Sequence, residues 1–523
     1  MLSYIPRYST ADIDLSTDIL QTQIKKNEMS YRIITAQEAA TYINDGDGVG
    51  ISGFTLSGTP KTVLPEVAKR AEEAHAAGKP FKIDLYSGAS TGDSIDGVLS
   101  RAHAIRFRAP FISNPTVRTA INNKEMTYCD LHLSLMAQDL RYGYMGKVNV
   151  AILEAIDITD DGKVYLTTAG GIGQTVANLA DRIIIERNTF HHTMGMHDVY
   201  EPLDPPYRRE IPIFRADDRI GKPYVQVDPK KVIGIVEVNI PNEPVVFKEL
   251  DPVTRKIGEN VVNFIVGEMK RGIIPATGLP IQSGIGNVAN AVLKGLEECN
   301  DIPPLYLYSE VLQDSVIKLM ELGRVKAGST CSLSLSQECL QHVYDNLDFF
   351  RDKLVLRPSE ISNHPEIIRR LGIIAMNTAI EVDLYGCVNS SHICGTRLMN
   401  GIGGSGDFAR NAFISIFTCP STQKGGMISS IVPMVTHADH TEHDVRVVAT
   451  EWGVADLRGK GPDERAKTLI ENCAHPDYKN LLWDYLKIAK SGHVSHNVAA
   501  ALGMHATFER EGDMRKTDWS SFA

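Results

Sequence analysis

A short pattern occurs once in each half of the chain, and it strongly limits the folds that the chain can adopt. In the first copy, the glycine-rich residues 50–58 lead into a helical period, and the next apolar segment ends in Leu-Tyr-Ser-Gly at 85–88. In the second copy, residues 283–287 lead into another helical period, and the next apolar segment ends in Leu-Tyr-Ser-Glu at 307–310. The order strand, helix, strand is typical of a parallel α/β sheet. We therefore expect two similar α/β units, of which only the second ends in a carboxylate.

The rest of the chain favours an α/β fold of two similar open domains, with mainly parallel sheets, that face each other across a cleft. Apolar segments alternate with helical periods on both sides of a proline-rich stretch between residues 202 and 252. The sequence thus predicts a tail of residues 1–32, an N-terminal domain of residues 33–245 and a C-terminal domain of residues 255–523. A chain of 523 residues is long enough for two domains of ordinary size.

Glu310 is the candidate catalytic residue. It follows directly after an apolar strand-like segment, where the first copy of the pattern has Gly88. In open α/β sheets, ligands bind beyond the carboxyl ends of the strands, so a lone carboxylate there, facing a glycine loop, is a candidate covalent nucleophile. Because Glu310 is one of 64 acidic residues, an ordinary surface carboxylate is the alternative interpretation.

The glycine loop at residues 284–288 precedes a helix with one apolar face, formed by Val288, Ala291, Val292 and Leu296. Backbone N–H groups and the helix dipole at such a position favour an anion. The loop lacks the Lys-Ser/Thr ending of a P-loop and the full dinucleotide fingerprint, so a simple turn remains an alternative.

A second loop, residues 400–406, contains four glycines in six positions. Each glycine costs backbone entropy, so this density predicts a close backbone approach to a bound group and exposed N–H donors, as an oxyanion hole requires. We call residues 400–406 the tetraglycine loop. Further on, Lys424 lies in a second flexible segment, which suits a phosphate or pantetheine contact or an ordinary solvated lysine.

A cluster of histidine and acidic residues at 437–444 raises the question of a metal site. On a helix, the spacing of His437, His440 and His443 would turn the third imidazole away from the first. We therefore predict no metal site and interpret this segment as a hydrogen-bonded cluster near the site.

The composition excludes some functions. The net charge of −10 argues against a protein held on nucleic acid by phosphate contacts. The eight cysteines include no Cys-x-x-Cys pair and indicate reduced thiols, and no apolar run is long enough to span a membrane. The acid-free residues 1–10 are either a short targeting segment, which predicts the matrix of a mitochondrion or hydrogenosome, or a tail, which predicts the cytoplasm.

Five stretches of sequence together identify a family resemblance. With the motifs at residues 87–92, 282–291, 308–314, 400–410 and 455–459, the chain resembles class I coenzyme A transferases, specifically the acetyl-CoA hydrolase/transferase family. The similarity extends from about residue 33 to about residue 505.

The resemblance implies a succinyl-CoA:acetate type of CoA transfer, with acyl-CoA and short carboxylates as substrates. It implies that Glu310 forms a glutamyl-CoA thioester, with CoA as substrate and covalent intermediate and no tightly bound cofactor. A homodimer is the default assembly for an enzyme of this size. The residues implied in binding CoA or lining the oxyanion site are Gly284, Ile285, Gly286, Asn287, Val288, Asn400, Gly404 and Lys424.

Two alternatives stay open at this point. An acyl-CoA hydrolase would use water in place of the acceptor carboxylate at the same site. A non-catalytic CoA-sensing protein would share the scaffold, although such a protein would not need to keep Glu310.

Overall fold

A computed structural model describes residues 31–192, 194–245, 249–284 and 286–522. The candidate targeting segment and Ile285 lie outside the described residues. Most of the described chain forms two open α/β halves, each built on a mainly parallel sheet.

The N-terminal sheet has a parallel path of seven strands, and two further strands branch from it. The branch, Lys163–Leu166 and Val225–Gln226, runs antiparallel from the end of the long strand Val150–Ile158. The parallel path runs in the spatial order Thr127–Tyr128, Ile105–Ala109, Ile83–Tyr86, Gly48–Ile51, Val150–Ile158, Arg182–Asn188 and Val232–Val238.

The C-terminal sheet repeats this arrangement. The strand that comes first in the chain, Ile281–Ser283, lies in the middle of the sheet. The next three strands of this sheet lie on one side of it and the later strands on the other side, as in the N-terminal sheet. Only its last pair is antiparallel. The order is Leu354–Leu356, Val325–Thr330, Leu305–Tyr308, Ile281–Ser283, Ile374–Thr378, Ile414–Thr418, Val447–Thr450 and Gly453–Asp456. The predicted fold class is thereby confirmed, whereas the predicted domain limits stay a prediction.

Small sheets surround the C-terminal sheet. They are Val311–Leu312 with Ser332–Leu333, Glu381–Asp383 with Val388–Asn389 and Ile431–Val432, His392–Ile393 with Arg397–Leu398, and Thr422–Gln423 with Ile428–Ser429.

Apolar side chains cover both faces of the sheets. Along Val150–Ile158, Val150 and Ile152 join one apolar cluster, whereas Ala151 and Leu153 join another, because successive strand residues point to opposite faces. The helix after the second glycine loop, Asn287–Glu298, buries the face predicted for it.

The α-helices of the N-terminal half are Ala36–Ala40, Val63–Ala76, Val98–Arg101, Pro115–Asn122, Leu133–Arg141 and Gly173–Leu179. Those of the C-terminal half are Pro252–Lys270, Asn287–Glu298, Asp314–Glu321, Gln337–Asp345, Leu347–Phe350, Ser359–Ser362, Pro365–Leu371, Ser405–Asn411, Pro462–Asn472, Pro476–Ile488 and Gly503–Glu511. Single turns of other helix types lie at Asp93–Gly97, Pro229–Lys231, Met514–Lys516 and Trp519–Phe522.

The halves meet through the loops at the carboxyl ends of their strands, and main-chain hydrogen bonds join them. Gly170 N–H donates to the Cys331 carbonyl oxygen at 2.9 Å, and Leu333 N–H donates to that of Thr168 at 3.0 Å. In addition, Ser359 N–H donates to the Gly171 carbonyl oxygen at 2.9 Å. The carboxyl edge of each sheet is therefore the face that the other half contacts.

The two copies of the pattern differ in how much room they leave beyond the strand. A Cβ atom at Gly88 would lie 2.8 Å from Phe54 and 2.9 Å from the Gly53 carbonyl oxygen, so the first copy has no room for a side chain. In the second copy, the same position carries the Glu310 side chain.

The two copies also differ at the start of the helix that follows the glycine loop. In the N-terminal half, the fully buried Glu186 carboxylate accepts from the N–H groups of Lys61, Thr62 and Val63, at distances from 2.5 to 3.2 Å. In the C-terminal half, the helix Asn287–Glu298 has Gly286 at its N-cap, a residue without a capping side chain. The first half thus places a buried carboxylate at its helix start, whereas the second places a glycine at the N-cap.

We predict that Glu186→Ala destabilises the N-terminal half. Removing the carboxylate leaves three backbone N–H groups without their acceptor, which should cost about 2–4 kcal/mol of unfolding free energy. Urea denaturation measures this loss. Glu72→Ala, at an exposed position of the same helix, is the control and should stay within about 0.5 kcal/mol of the parent. Equal effects of the two variants would contradict the capping role.

Candidate active site

Glu310 occupies a fixed position between two strands of the C-terminal half. Its carbonyl oxygen accepts from the N–H groups of Cys331 and Ser332, at 3.0 and 3.2 Å, and from the Thr330 hydroxyl at 3.1 Å. These bonds hold the Glu310 main chain against the neighbouring strand segment, and its half-buried side chain lies at the carboxyl edge of the sheet.

The Glu310 carboxylate has one side-chain hydrogen-bond donor in the described chain. The amide of the fully buried Asn363 donates to Glu310 Oε2 at 2.9 Å. Burial raises the pKa of Glu310 above that of an ordinary glutamate, and the Asn363 hydrogen bond offsets this only in part. A carboxylate with a raised pKa and little solvation is a stronger nucleophile when it is ionised.

Gly404 of the tetraglycine loop lies directly against this carboxylate. A Cβ atom at Gly404 would lie 1.8 Å from Glu310 Oε2 and 2.4 Å from Asn363 Nδ2, so only glycine fits the observed arrangement. Within the described residues, the Gly404 N–H group has no acceptor. An unpartnered N–H group beside a nucleophile has the features of an oxyanion-hole donor.

The other glycine loop is joined to the segment that carries Glu310. Gly284 N–H donates to the Met376 carbonyl oxygen at 3.2 Å, and its own carbonyl oxygen accepts from the Gln313 amide at 3.1 Å. Gly286, at φ +125°, has open space where a Cβ would be. Asn287 is the first residue of the following helix, and Val288 is buried in it.

Two residues implied in CoA binding have other contacts. The Asn400 amide donates to the carbonyl oxygens of Ser390 and Gly401, both at 2.9 Å, and so shapes the tetraglycine loop. Lys424 lies beside the short hairpin Thr422–Gln423 and Ile428–Ser429, with Nζ 5.1 Å from the centre of the Phe508 ring. No contact between described residues joins Lys424 to Glu310, so its role stays a prediction.

The segment 437–444 is irregular rather than helical, so the argument from helical spacing was wrong in its premise. Asp439 accepts from Ser390 N–H at 2.6 Å and from the Ser391 hydroxyl at 2.7 Å. His440 Nε2 lies 3.1 Å from the Ser405 hydroxyl, just behind the tetraglycine loop. Across the described chain, no group of three or more His, Cys, Asp or Glu side chains is placed to hold a metal ion.

The N-terminal half contributes residues that the sequence did not reveal. Asp130 accepts from the Ile402 N–H group with both oxygens, at 2.9 and 3.0 Å. Ser134 donates through both its N–H and its hydroxyl to Asp407. These residues lie more than 270 positions apart in the chain, so no local pattern could link them.

Together these contacts define an α/β protein with a partly desolvated carboxylate, an amide donor and bare backbone at the interface of two similar halves. This arrangement suits covalent catalysis on an acyl group.

The comparisons with known proteins agree with this class. Residues 18–237 match the acetyl-CoA hydrolase/transferase N-terminal domain, and residues 340–486 match the C-terminal domain of the same family. The chain belongs to the acetyl-CoA hydrolase/transferase family.

Similar proteins cover almost the whole chain. It is 46% identical to propanoyl-CoA:succinate CoA transferase of Escherichia coli, over 93% of this chain and 99% of that protein. It is also 46% identical to succinyl-CoA:acetate CoA-transferase of Clostridium kluyveri, over 95% and 93%. Acetyl-CoA hydrolase of Schizosaccharomyces pombe is 40% identical, over 96% and 99%. The chain is therefore an enzyme of a family that covers both activities.

The solved structure of 4-hydroxybutyrate CoA-transferase from Porphyromonas gingivalis shares the fold, with a TM-score of 0.61 at 20% identity, over 90% of this chain and 99% of that one. Among the described residues, no helix is long and apolar enough to cross a membrane.

We predict that Gly404→Ala abolishes most of the acyl-CoA-dependent activity. The new methyl group would have to displace the Glu310 carboxylate, and a misplacement near 1 Å costs about 100-fold where geometry controls the rate. A steady-state assay with acetyl-CoA measures the loss. Gly267→Ala, in the helix Pro252–Lys270 with nothing within 4 Å of the added atom, is the matched control and should keep normal activity. A fully active Gly404→Ala variant would show that Gly404 does not need to approach Glu310 so closely.

Proposed function

We propose that the protein is a CoA-transferase that moves CoA between an acyl-CoA and a free carboxylate through a covalent thioester on Glu310. The observation that carries this proposal is the Glu310 carboxylate, with its raised pKa, held between the Asn363 amide and the bare backbone of Gly404.

The chemistry proceeds in balanced steps. A Glu310 oxygen attacks the thioester carbonyl of the acyl-CoA, and the tetrahedral intermediate expels CoA thiolate, which leaves a mixed anhydride. The thiolate then attacks the glutamyl carbonyl, which releases the first carboxylate and forms the glutamyl-CoA thioester. An incoming carboxylate reverses both steps. Each intermediate carries an oxyanion, and a backbone donor such as Gly404 N–H is worth roughly 3 kcal/mol of stabilisation.

The proposed CoA-binding residues centre on the start of the helix Asn287–Glu298. The N–H groups and the helix dipole there favour the phosphates of CoA. The comparison with the first half supports this assignment, because Glu186 supplies an anion at the matching helix start. We assign to CoA the residues Gly284, Ile285, Gly286, Asn287, Val288, Asn400 and Lys424, and to the oxyanion site Gly404.

As substrates we propose succinyl-CoA or acetyl-CoA with acetate or succinate, because both CoA-transferase relatives are named for succinate or succinyl-CoA. CoA acts as substrate and covalent intermediate, and we propose no tightly bound cofactor. We also propose that the enzyme is a homodimer, which light scattering would test, and that it works in an organelle matrix if residues 1–10 target it there and in the cytoplasm otherwise.

An acetyl-CoA hydrolase is the second candidate, because a relative with that name is 40% identical along 96% of the chain. In that case water would attack the glutamyl thioester. The ratio of CoA transfer to hydrolysis depends on whether water enters the site once the thioester has formed.

We predict ping-pong kinetics between acyl-CoA and the acceptor carboxylate. The first product leaves before the acceptor reacts, so double-reciprocal plots at varied acceptor concentration should be parallel. Initial rates of acyl transfer at several concentrations of succinyl-CoA and acetate provide the measurement. Intersecting lines would exclude the two-step scheme, and an equal rate with water alone would favour the hydrolase.

We predict that Glu310 becomes attached to CoA when acyl-CoA is supplied without an acceptor. Borohydride reduces a glutamyl thioester but not a free carboxylate, so peptide mass spectrometry should find the reduced residue at position 310. Glu310→Asp moves the carboxylate back by about 1.5 Å and should cost at least ~100-fold in rate. Glu310→Ala should lose transfer while CoA affinity changes little.

Glu338→Ala provides the matched control, because Glu338 is exposed on the helix Gln337–Asp345. It should show normal transfer and the normal adduct at Glu310. A reduced residue elsewhere, or near-normal transfer by Glu310→Ala, would refute the assignment of the nucleophile.

A further inference from the structure

Asp407 is a buried carboxyl group that the proposed chemistry does not use. It lies in the first turn of the helix Ser405–Asn411, three residues after Gly404, and only 4% of it is exposed. One carboxylate oxygen accepts from Ser134 N–H at 3.0 Å and the other from the Ser134 hydroxyl at 2.5 Å. Ser134 belongs to the first turn of Leu133–Arg141 in the N-terminal half. Asp407 thus ties the end of the tetraglycine loop to the opposite half of the molecule.

Asp407 is also linked to Glu310. Gly404, three residues before Asp407, lies directly against the Glu310 carboxylate. Burial raises the pKa of Asp407 to about 7, the hydrogen bonds from Ser134 oppose this rise, and the charge of Glu310 adds to it.

We propose that Asp407 is a positioning residue for the transfer reaction: its carboxyl group, anchored on Ser134, holds the backbone of Gly404 against Glu310. This inference rests on the proposed function. Asp407 acts through the backbone of Gly404, which stands three residues before it in the chain.

Few other charges face Asp407. On the adjoining start of Leu133–Arg141, His132 packs against Gly406, and burial lowers its pKa, which keeps the ring neutral near pH 7. Arg410, on the same helix as Asp407, lies 3.5 Å from Asp444, and Arg369 of the neighbouring helix Pro365–Leu371 donates to the Arg410 carbonyl oxygen. Glu310 is thus the carboxylate whose charge Asp407 experiences most directly.

Asp130 provides a matched control for this role. It binds the Ile402 N–H group and so holds the same loop from the same half. The Asp130 oxygens contact Ile402 and Tyr128, and no contact between described residues joins them to Glu310. A change at Asp130 therefore loosens the loop without altering the charge next to the nucleophile.

The pH dependence separates positioning from a merely structural role. Ionised Asp407 accepts from both Ser134 groups, whereas the protonated form loses one of these acceptors. Because its pKa is raised to about 7, this holding function is complete well above pH 7, is half lost at about pH 7 and declines further at lower pH. We therefore expect kcat of the parent enzyme to fall on the acid side of about pH 7.

The test compares Asp407→Asn, Asp130→Asn and Ser134→Ala by measuring kcat and the KM for acyl-CoA across the pH range. Asp407→Asn should lower kcat by about tenfold, keep the KM within about twofold, and move the acid limb to lower pH, because the like charge beside Glu310 is gone. Asp130→Asn should lower kcat without moving the limb. Ser134→Ala should move the limb to higher pH, because ionised Asp407 loses a hydrogen-bond donor.

Normal kcat in Asp407→Asn, or a lowered kcat with an unmoved acid limb, would overturn the proposal. If Asp407→Asn fails to fold, the pH profile of kcat for Ser134→Ala is decisive. An acid limb that does not move in that variant overturns the proposal equally. Borohydride trapping of the parent enzyme separates this inference from the proposed function. An adduct at Glu310 together with a normal Asp407→Asn variant refutes only the role of Asp407, whereas no adduct at Glu310 refutes the covalent mechanism itself.

Discussion

The close contact between a partly desolvated carboxylate and bare main chain is the constraint on which the site depends. Glu310 can approach Gly404 only because no side chain stands between them. The Asn363 amide is the one side-chain donor to Glu310 in the described structure, so the carboxylate is held in place without being neutralised by a cation. A positive partner would lower the pKa of the Glu310 carboxyl group and weaken it as the proposed nucleophile, whereas a neutral amide orients the group and leaves most of its basicity.

The two halves share one topology but differ in what they do with the carboxyl edge of the sheet. In the N-terminal half, Gly88 is closed over by neighbouring loops, and Glu186 fills the start of the helix Val63–Ala76. Next to the start of that helix, Lys61 and Glu154 form a buried ion pair at 3.1 Å. The first half therefore fills these positions with its own side chains and backbone. In the second half, Glu310 stands at the position of Gly88, and Gly286 stands at the N-cap of the matching helix. The first copy of the pattern therefore has a structural role, and the second contains the candidate site.

The fold was predicted correctly from the sequence, and Glu310 was singled out as the candidate nucleophile, because both predictions rest on local patterns. The repeated strand–helix–strand segments predicted two parallel sheets, and Glu310 stood out because its counterpart is Gly88. The supporting residues were different. Asn363 lies 53 residues from Glu310 and Ser134 lies 273 residues from Asp407, and only the packing of the halves brings them together. For the segment 437–444 only the helical premise was wrong, because the segment is irregular. Its Asp439 and His440 side chains do form hydrogen bonds next to the tetraglycine loop.

The bonds that join the halves at Gly170, Leu333 and Ser359 run from main chain to main chain. Their geometry depends on loop length and on two glycines, because a Cβ atom at Gly170 would lie 2.3 Å from the Arg357 carbonyl oxygen and one at Gly171 would lie 2.3 Å from that of Gly53. Side-chain bonds of Asp130 and Asp407 also cross between the halves. The alignment of Glu310 and the tetraglycine loop is thus vulnerable to insertions and deletions in these loops and to substitutions at these few positions.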